Sequence, residues 1–144
     1  MIDKFDGEYR FLSNFFFSQV YYEGIGYPTV EHAYQASKTL DFDKRKFISK
    51  ISWNKAGQVK RMGQKLSLRL NWEDLKISIM EDLINQKFIN ENLKIKLKDT
   101  SEEELIEGNY WHDNFWGNCK CKKCIDKPGL NMLGLILMRR RDLL

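Results

Sequence analysis

Apolar and polar positions recur along most of the chain with the period of a helix. Between Asn71 and Asn90 this pattern is clearest, because apolar residues fall on one side over five turns. Asn71 is a suitable N-cap, and the acidic residues that follow it favour a first helical turn. The sequence therefore predicts a long helix here. Its apolar positions are Leu75, Ile79, Leu83, Ile84 and Phe88.

Weaker patterns of the same kind predict five further helices. The first follows Pro28, with Thr29 as its N-cap, and runs to about Leu40. A short helix is expected around Leu93 and Leu97. The other predicted helices span about 43–51, 54–64 and 130–143.

Little of the chain has the alternation of a strand. Residues 20–27 predict a hairpin that turns at Glu23-Gly24, and residues 105–107 predict a short strand. Ser101 and Glu104 form a capping-box pattern, and residues 108–129 are expected to be mostly loop. The expected fold is a helix-dominated α+β single domain over residues 1–144, with a small amount of β-structure.

Composition supports a globular protein. Of the 144 residues, 42% are hydrophobic, which is enough to form a core, and 31% are charged. The absence of a long apolar run or a signal-peptide pattern predicts a cytoplasmic protein with no membrane partner. A net charge of +4 does not by itself indicate nucleic acid. The arginines at 139–141 fit either a solvated helix end or a phosphate contact.

Four polar residues share one face of the first predicted helix. Glu31, Tyr34, Gln35 and Lys38 are spaced i, i+3, i+4 and i+7. This face is either a solvated polar surface or one wall of a site.

The loop near residue 112 is rich in aromatic residues that surround His112 and Asp113. Such rings can stack on a heterocycle, and a carboxylate beside them would be partly desolvated. Alternatively, the rings cap the hydrophobic core, and His112 only forms structural hydrogen bonds. The aromatic residues are Tyr110, Trp111, Phe115 and Trp116.

Three cysteines follow this loop with the spacing C-x-C-x-x-C. In an intracellular protein, Cys119, Cys121 and Cys124 indicate reduced thiols or a metal site rather than disulfides. Structural zinc takes four ligands, so His112 would have to be the fourth. We predict reduced cysteines and no metal. The alternative is a zinc site, as in a zinc-supported nucleic-acid-binding protein.

Six segments, in order and covering nearly the whole chain, resemble the NADAR, or YbiA-like, family. The cysteine cluster lies outside them and looks like a feature of one branch. The matching stretches are Phe11 to Phe15, Tyr27 to Lys38, Ala56 to Gly63, Asn71 to Glu73, Asp113 to Gly117, and Asn131 to Gly134 with Leu137 to Arg139.

The resemblance implies a YbiA-like fold and hydrolysis of N-glycosidic bonds without a cofactor. Some members cleave early riboflavin-pathway intermediates, and others remove ADP-ribose from guanine in DNA. Both substrates join C1 of a phosphorylated ribose to an exocyclic amine of a heterocycle. We expect removal of ADP-ribose from guanine, with ADP-ribosylated DNA as a partner. The alternatives are cleavage of riboflavin intermediates and a non-catalytic module that binds ADP-ribose or a nucleotide.

The resemblance also implies which positions are functional. Glu31 and Asp113 would share the duties of acid and base, because the reaction passes near an oxocarbenium ion and the leaving amine needs a proton. Lys38 would pair with Glu31, bind phosphate, or attack C1 as a Schiff-base nucleophile. The positions implied by the resemblance are Asn14, Glu31, Lys38, Trp72, Asp113 and Trp116.

The remaining site residues are expected to hold the substrate. Trp72 or Trp116 would stack on the heterocycle, and Asn14 would orient sugar hydroxyls. The expected phosphate ligands are Arg10, Lys60 and Arg61.

Overall fold

The computed structural model describes all residues from Met1 to Leu144 and confirms a helix-dominated α+β fold with short strands. The chain divides into two compact units. The central unit is Asn14–Asn90, and the terminal unit combines Met1–Ser13 with Glu91–Leu144. None of the helices is both long and apolar enough to cross a membrane.

The central unit contains a hairpin and four α-helices. As predicted, the hairpin turns at Glu23 and Gly24, whose φ angles of 45° and 85° place both in the left-handed region that a tight hairpin turn requires. The elements are β1 Val20–Tyr22, β2 Ile25–Tyr27, α1 Val30–Ala36, α2 Phe42–Ser49, a 3-10 helix Trp53–Lys55, α3 Ala56–Gly63 and α4 Trp72–Lys87.

Helix α1 is the centre of this unit and packs against α2, α3, α4 and the hairpin. The predicted cap is confirmed, because Thr29 has extended backbone and its Oγ1 accepts the His32 N–H at 3.0 Å. The helix ends at Ala36 rather than near Leu40. The N–H groups of Lys38 and Thr39 bond to carbonyls three residues back, which tightens the last turn and ends the α-helix.

Helix α4 follows the predicted pattern, and Ile79, Leu83 and Ile84 are buried. Asn71 occupies the predicted N-cap position, but its side chain makes no cap hydrogen bond. Its φ angle is 63°, whereas a capping side chain normally needs extended backbone at that position.

The terminal unit has two α-helices and little regular β-structure. The strand expected at residues 105–107 is reduced to one parallel bridge between Ile2 and Leu105. The capping box at Ser101 is wrong, since Ser101 has φ 55° and no helix starts there. The elements are a 3-10 helix Gly7–Leu12, α5 Glu91–Lys98, the parallel pair β3 Gly108–Asn109 and β4 Asn118–Cys119, and α6 Met132–Asp142.

Candidate functional site

The polar face of α1 lies inside the protein. Glu31 is 6% exposed, Tyr34 5% and Gln35 4%. A solvated polar surface is therefore excluded, because the carboxylate, phenol and amide have all been removed from most of their water. Removing polar groups from water costs free energy, so they are normally buried where other polar groups can form hydrogen bonds with them.

Glu31 is held from two sides. Gln35 Nε2 donates to Glu31 Oε1 at 2.8 Å, one turn along the same helix. The backbone N–H of Glu31 donates to the carbonyl of Asn14 at 3.1 Å. These contacts fix the carboxylate relative to the segment that carries Asn14, and they join two of the expected site residues directly.

The two residues that hold Glu31 each have a buried side-chain oxygen without a protein partner. These oxygens are Asn14 Oδ1 and Gln35 Oε1. The amide nitrogen of Asn14 faces only the thioether of Met80, at 3.5 Å. An unsatisfied buried acceptor costs about 1–3 kcal/mol, so a donor that reaches either oxygen, from water or from a bound molecule, would be stabilised there.

Lys38 and Trp72 both lie close to the ring of Tyr34. Lys38 Nζ is 5.6 Å from the centre of the Tyr34 ring, and the Trp72 ring is 5.4 Å from it at an angle of 52°. Lys38 is half-buried and follows the end of α1, whereas Trp72 is 5% exposed at the start of α4. The structure thus brings both residues to the helix that carries Glu31.

Helix α3 carries Lys60, which is half-buried, and Arg61, which is exposed. This helix comes close to α1 at Gly63. A Cβ atom at Gly63 would overlap the amide of Gln35, so a glycine is required for this contact. The position of Gln35, and through it that of Glu31, therefore depends on α3.

His32 fixes α1 in place. Its Nδ1 lies 2.6 Å from Thr29 Oγ1, and its Nε2 lies 3.1 Å from the carbonyl of Ile51. Burial lowers the pKa of His32 below its usual value, which favours the neutral ring. The two contacts are satisfied by one neutral tautomer, with Nε2–H donating to Ile51 and Nδ1 accepting from the Thr29 hydroxyl. His32 is a structural residue.

Asp113 organises the aromatic loop of the terminal unit. Its Oδ1 accepts the backbone N–H groups of Phe115 at 3.1 Å and Trp116 at 2.9 Å. Asn109 holds the backbone of Asp113, donating from Nδ2 to its carbonyl at 2.8 Å and accepting its N–H at 3.2 Å.

Within this unit the expected phosphate ligand Arg10 is exposed, on the 3-10 helix Gly7–Leu12.

The aromatic residues of this loop are partly exposed. Phe115 and Trp116 are half-buried and meet edge to face, with ring centres 4.8 Å apart and planes at 88°. Tyr110 and Trp111 are 60% and 54% exposed, so they do not cap a core as the alternative interpretation required.

The same loop contains a possible metal site. His112, Cys119, Cys121 and Cys124 each place a ligand atom within 4.8 Å of the others.

Sequence reasoning assigned no role to two residues that the structure makes important. Gln35 orients Glu31, and its position four residues after Glu31 on the same helix face was the available signal. Asn109 holds Asp113 in place, and no local pattern distinguishes it from other loop asparagines.

Comparison with known proteins gives consistent matches. The family model described as NADAR domain matches residues 3–144. The chain is 34% identical over 138 residues to the N-glycosidase YbiA of Escherichia coli (strain K12), covering 94% of this chain and 81% of that protein. It is 32% identical over 141 residues to a riboflavin biosynthesis protein of Vibrio vulnificus (strain YJ016), covering 95% of this chain and 36% of that protein.

A solved structure also matches. The NMR structure of the Escherichia coli protein YbiA superposes with a TM-score of 0.78 at 30% sequence identity, covering 99% of this chain and 86% of that one. The fold expected from the resemblance is thereby confirmed.

Proposed function

Because the chain belongs to the NADAR family, we propose that it hydrolyses the C1–N bond between a phosphorylated ribose and an exocyclic amine of a guanine-like or pyrimidine heterocycle. Its homology to N-glycosidases makes it an enzyme of the N-glycosyl hydrolase type. The observation that supports the finer proposal best is the buried Glu31, held by Gln35 and Asn14, each of which has an unsatisfied buried side-chain oxygen.

This arrangement suits the chemistry of a ribosyl substrate. Cleavage at C1 develops positive charge on the sugar, and a nearby carboxylate stabilises that charge. In the proposal Glu31 lies against C1, while Asn14 Oδ1 and Gln35 Oε1 accept hydrogen bonds from ribose hydroxyls. An acid must protonate the leaving amine, and Glu31 and Asp113 share the acid and base roles.

The remaining expected residues keep the roles that the family resemblance implies. The phosphates are assigned to the cationic side chains, since guanidinium and ammonium groups are the usual ligands of phosphate oxygens. Trp72 or Trp116 stacks on the heterocycle. Lys38 binds phosphate, and a nucleophilic role would require that its amine be neutral at the working pH. The other cations assigned to phosphate are Arg10, Lys60 and Arg61.

Two substrates satisfy this proposal, and each has a specific observation in its favour. Ribosylamino-pyrimidine phosphates are favoured by the match to a riboflavin biosynthesis protein. ADP-ribosylated guanine in DNA is favoured only weakly, by a net charge of +4 that does not by itself indicate nucleic acid. The arginine run adds little to the second case, because Arg141 donates internally to Thr100 Oγ1 at 2.9 Å and to the Glu103 carbonyl at 2.8 Å.

Incubating the pure protein with both substrates tests the proposal. We expect release of ribose 5-phosphate from one or of ADP-ribose from the other, detected by chromatography. Glu31→Gln keeps the shape and the acceptor for Gln35 but removes the charge, so turnover should fall by about 10²–10⁴-fold. Full activity of this variant, with circular dichroism matching wild type, would contradict the role of Glu31.

Asp113 requires a pair of variants, because its carboxylate also holds the loop. Asp113→Asn keeps an oxygen for the N–H groups of Phe115 and Trp116, whereas Asp113→Ala removes both the charge and the acceptor. If Asp113 acts in the chemistry, both variants lose activity. If it only holds the loop, the Asn variant stays active. Tight ADP-ribose binding by calorimetry, without turnover of either substrate, would indicate a binding module instead.

A further inference from the structure

The loop of the terminal unit brings together four side chains of the kinds that bind zinc. The Nδ1 atom of His112 lies 3.3 Å from Cys121 Sγ, 3.4 Å from Cys124 Sγ and 3.9 Å from Cys119 Sγ. All four ligand atoms lie within 4.8 Å of one another. From these distances we propose that the protein binds one zinc ion through Cys119, Cys121, Cys124 and His112.

The distances agree with a tetrahedral site. With Zn–S bonds of about 2.3 Å and Zn–N bonds of about 2.0–2.1 Å, a tetrahedron places its nitrogen and sulfur ligands about 3.6 Å apart. The three observed N–S separations lie on both sides of that value. Three thiols and an imidazole are also the donors that select zinc over magnesium or calcium. The sequence required His112 as the fourth ligand, and the structure places its Nδ1 close to all three sulfur atoms.

The backbone around these ligands is arranged for the site. His112 has φ 68°, an unusual left-handed conformation for a histidine, and this turn places its ring beside the cysteines. The backbone N–H of His112 also donates to Cys119 Sγ at 3.3 Å. Such N–H donors stabilise and orient thiolate ligands.

Binding releases three protons to solvent. Zn²⁺ replaces the proton of each cysteine thiol and coordinates the neutral imidazole of His112, so the bound site carries a charge of −1. Lys122 and Lys123 are exposed beside the cysteines and offset that charge. Four protein ligands fill the tetrahedron, so this zinc is structural and does not take part in hydrolysis.

The test measures the metal directly. We expect about one zinc per chain, by elemental analysis, in untagged protein purified under reducing conditions or reconstituted with zinc. Cobalt added to metal-stripped protein should give thiolate-to-metal absorption and the intense visible bands of a tetrahedral site. The proposal would be overturned if the protein held no stoichiometric zinc after reconstitution. It would also be overturned if two of the three cysteines formed a disulfide that persisted under reducing conditions.

Two variants and a control assign the ligands. Cys121→Ser and His112→Asn should each weaken zinc binding at least about 10-fold, as measured by competition with a chromophoric chelator. Asn is chosen at position 112 because it tolerates the left-handed backbone. Ile125→Ser changes an exposed, uncharged neighbour in the same loop and should keep wild-type affinity. Equal zinc affinity in all three variants would overturn the assignment, and the cobalt spectrum of wild type keeps the proposal testable if a variant does not fold.

Discussion

Gly63→Ala should disturb the candidate site from a distance, through Gln35. The new methyl group would occupy the space of the Gln35 amide, where α3 meets α1. Gln35 would have to move, and its hydrogen bond to Glu31 Oε1, now 2.8 Å long, would be lost or lengthened. Overpacking of this kind typically costs about 1–3 kcal/mol of unfolding free energy.

A second glycine of the same helix provides the matched control. A Cβ at Gly57 would lie 3.9 Å from the Arg61 side chain and from the Phe15 ring, which is ordinary contact. Gly57→Ala should therefore gain up to about 1 kcal/mol from helix propensity alone. Gly63→Ala should be less stable than Gly57→Ala by about 1–3 kcal/mol, because the two variants differ mainly in overpacking.

The effect on activity follows from the same contact. A hydrogen bond to a charged group contributes about 1.5–3 kcal/mol, so its complete loss would lower kcat/KM by about 10–100-fold. Urea unfolding gives the stability, and turnover of the better substrate gives kcat/KM. Gly57→Ala should keep the activity of the wild type.

The double variant isolates the cause. In a Gln35→Ala background, the space that the added methyl group needs is already empty, so Gly63→Ala should no longer destabilise the protein. An unchanged stability cost in that background would show that the contact with Gln35 is not responsible. Wild-type stability and kcat/KM in Gly63→Ala alone would refute the reasoning altogether.

Three further predictions concern stability. Burial lowers the pKa of Lys87 to about 7, so between about pH 7 and 10 only the unfolded chain binds a proton at this side chain. In wild type, relative to Lys87→Met, the free energy of unfolding should therefore rise by up to about 1.4 kcal/mol per pH unit over this range. The lowered pKa of His32 predicts stability lost as pH falls below about 6.5, and His32→Gln should remove that part of the decline. Arg141→Met, which loses two internal hydrogen bonds, should be less stable by about 1 kcal/mol with unchanged hydrolysis. Urea unfolding across pH tests all three.

Local spacing was sufficient to predict the parts of the fold that depend on neighbouring residues. The long period of α4 and the cap at Thr29 are both set within a few residues, and both are confirmed. The end of α1 was predicted too late. The Ser37 hydroxyl donates to the Tyr34 carbonyl, and the next two N–H groups bond to carbonyls three residues back, so these bonds replace the regular pattern of the α-helix. Propensities alone do not resolve that competition.

The contacts that define the candidate site join distant parts of the chain. The burial of Glu31 and the close approach of Gly63 to Gln35 arise only when the helices pack together. The family resemblance named Asn14 and Glu31, but no spacing in the sequence predicts that the backbone of one accepts a hydrogen bond from the other. A polar helix face has the same pattern whether it is exposed or buried, and only the packing distinguishes the two.

The aromatic loop combines two kinds of restraint at adjacent residues. The ring of His112 lies beside the cysteines. Asp113 is held by Asn109, and its carboxylate accepts two backbone N–H groups. Because the backbone of one residue continues into the next, zinc bound at His112 would also restrict Asp113. A structural metal can therefore influence hydrolysis without touching the substrate, by reducing the number of conformations open to Asp113. If Asp113 shares the acid and base roles as proposed, loss of zinc would lower activity through the position of that carboxylate, whereas Glu31, in the central unit, would keep its contact with Gln35.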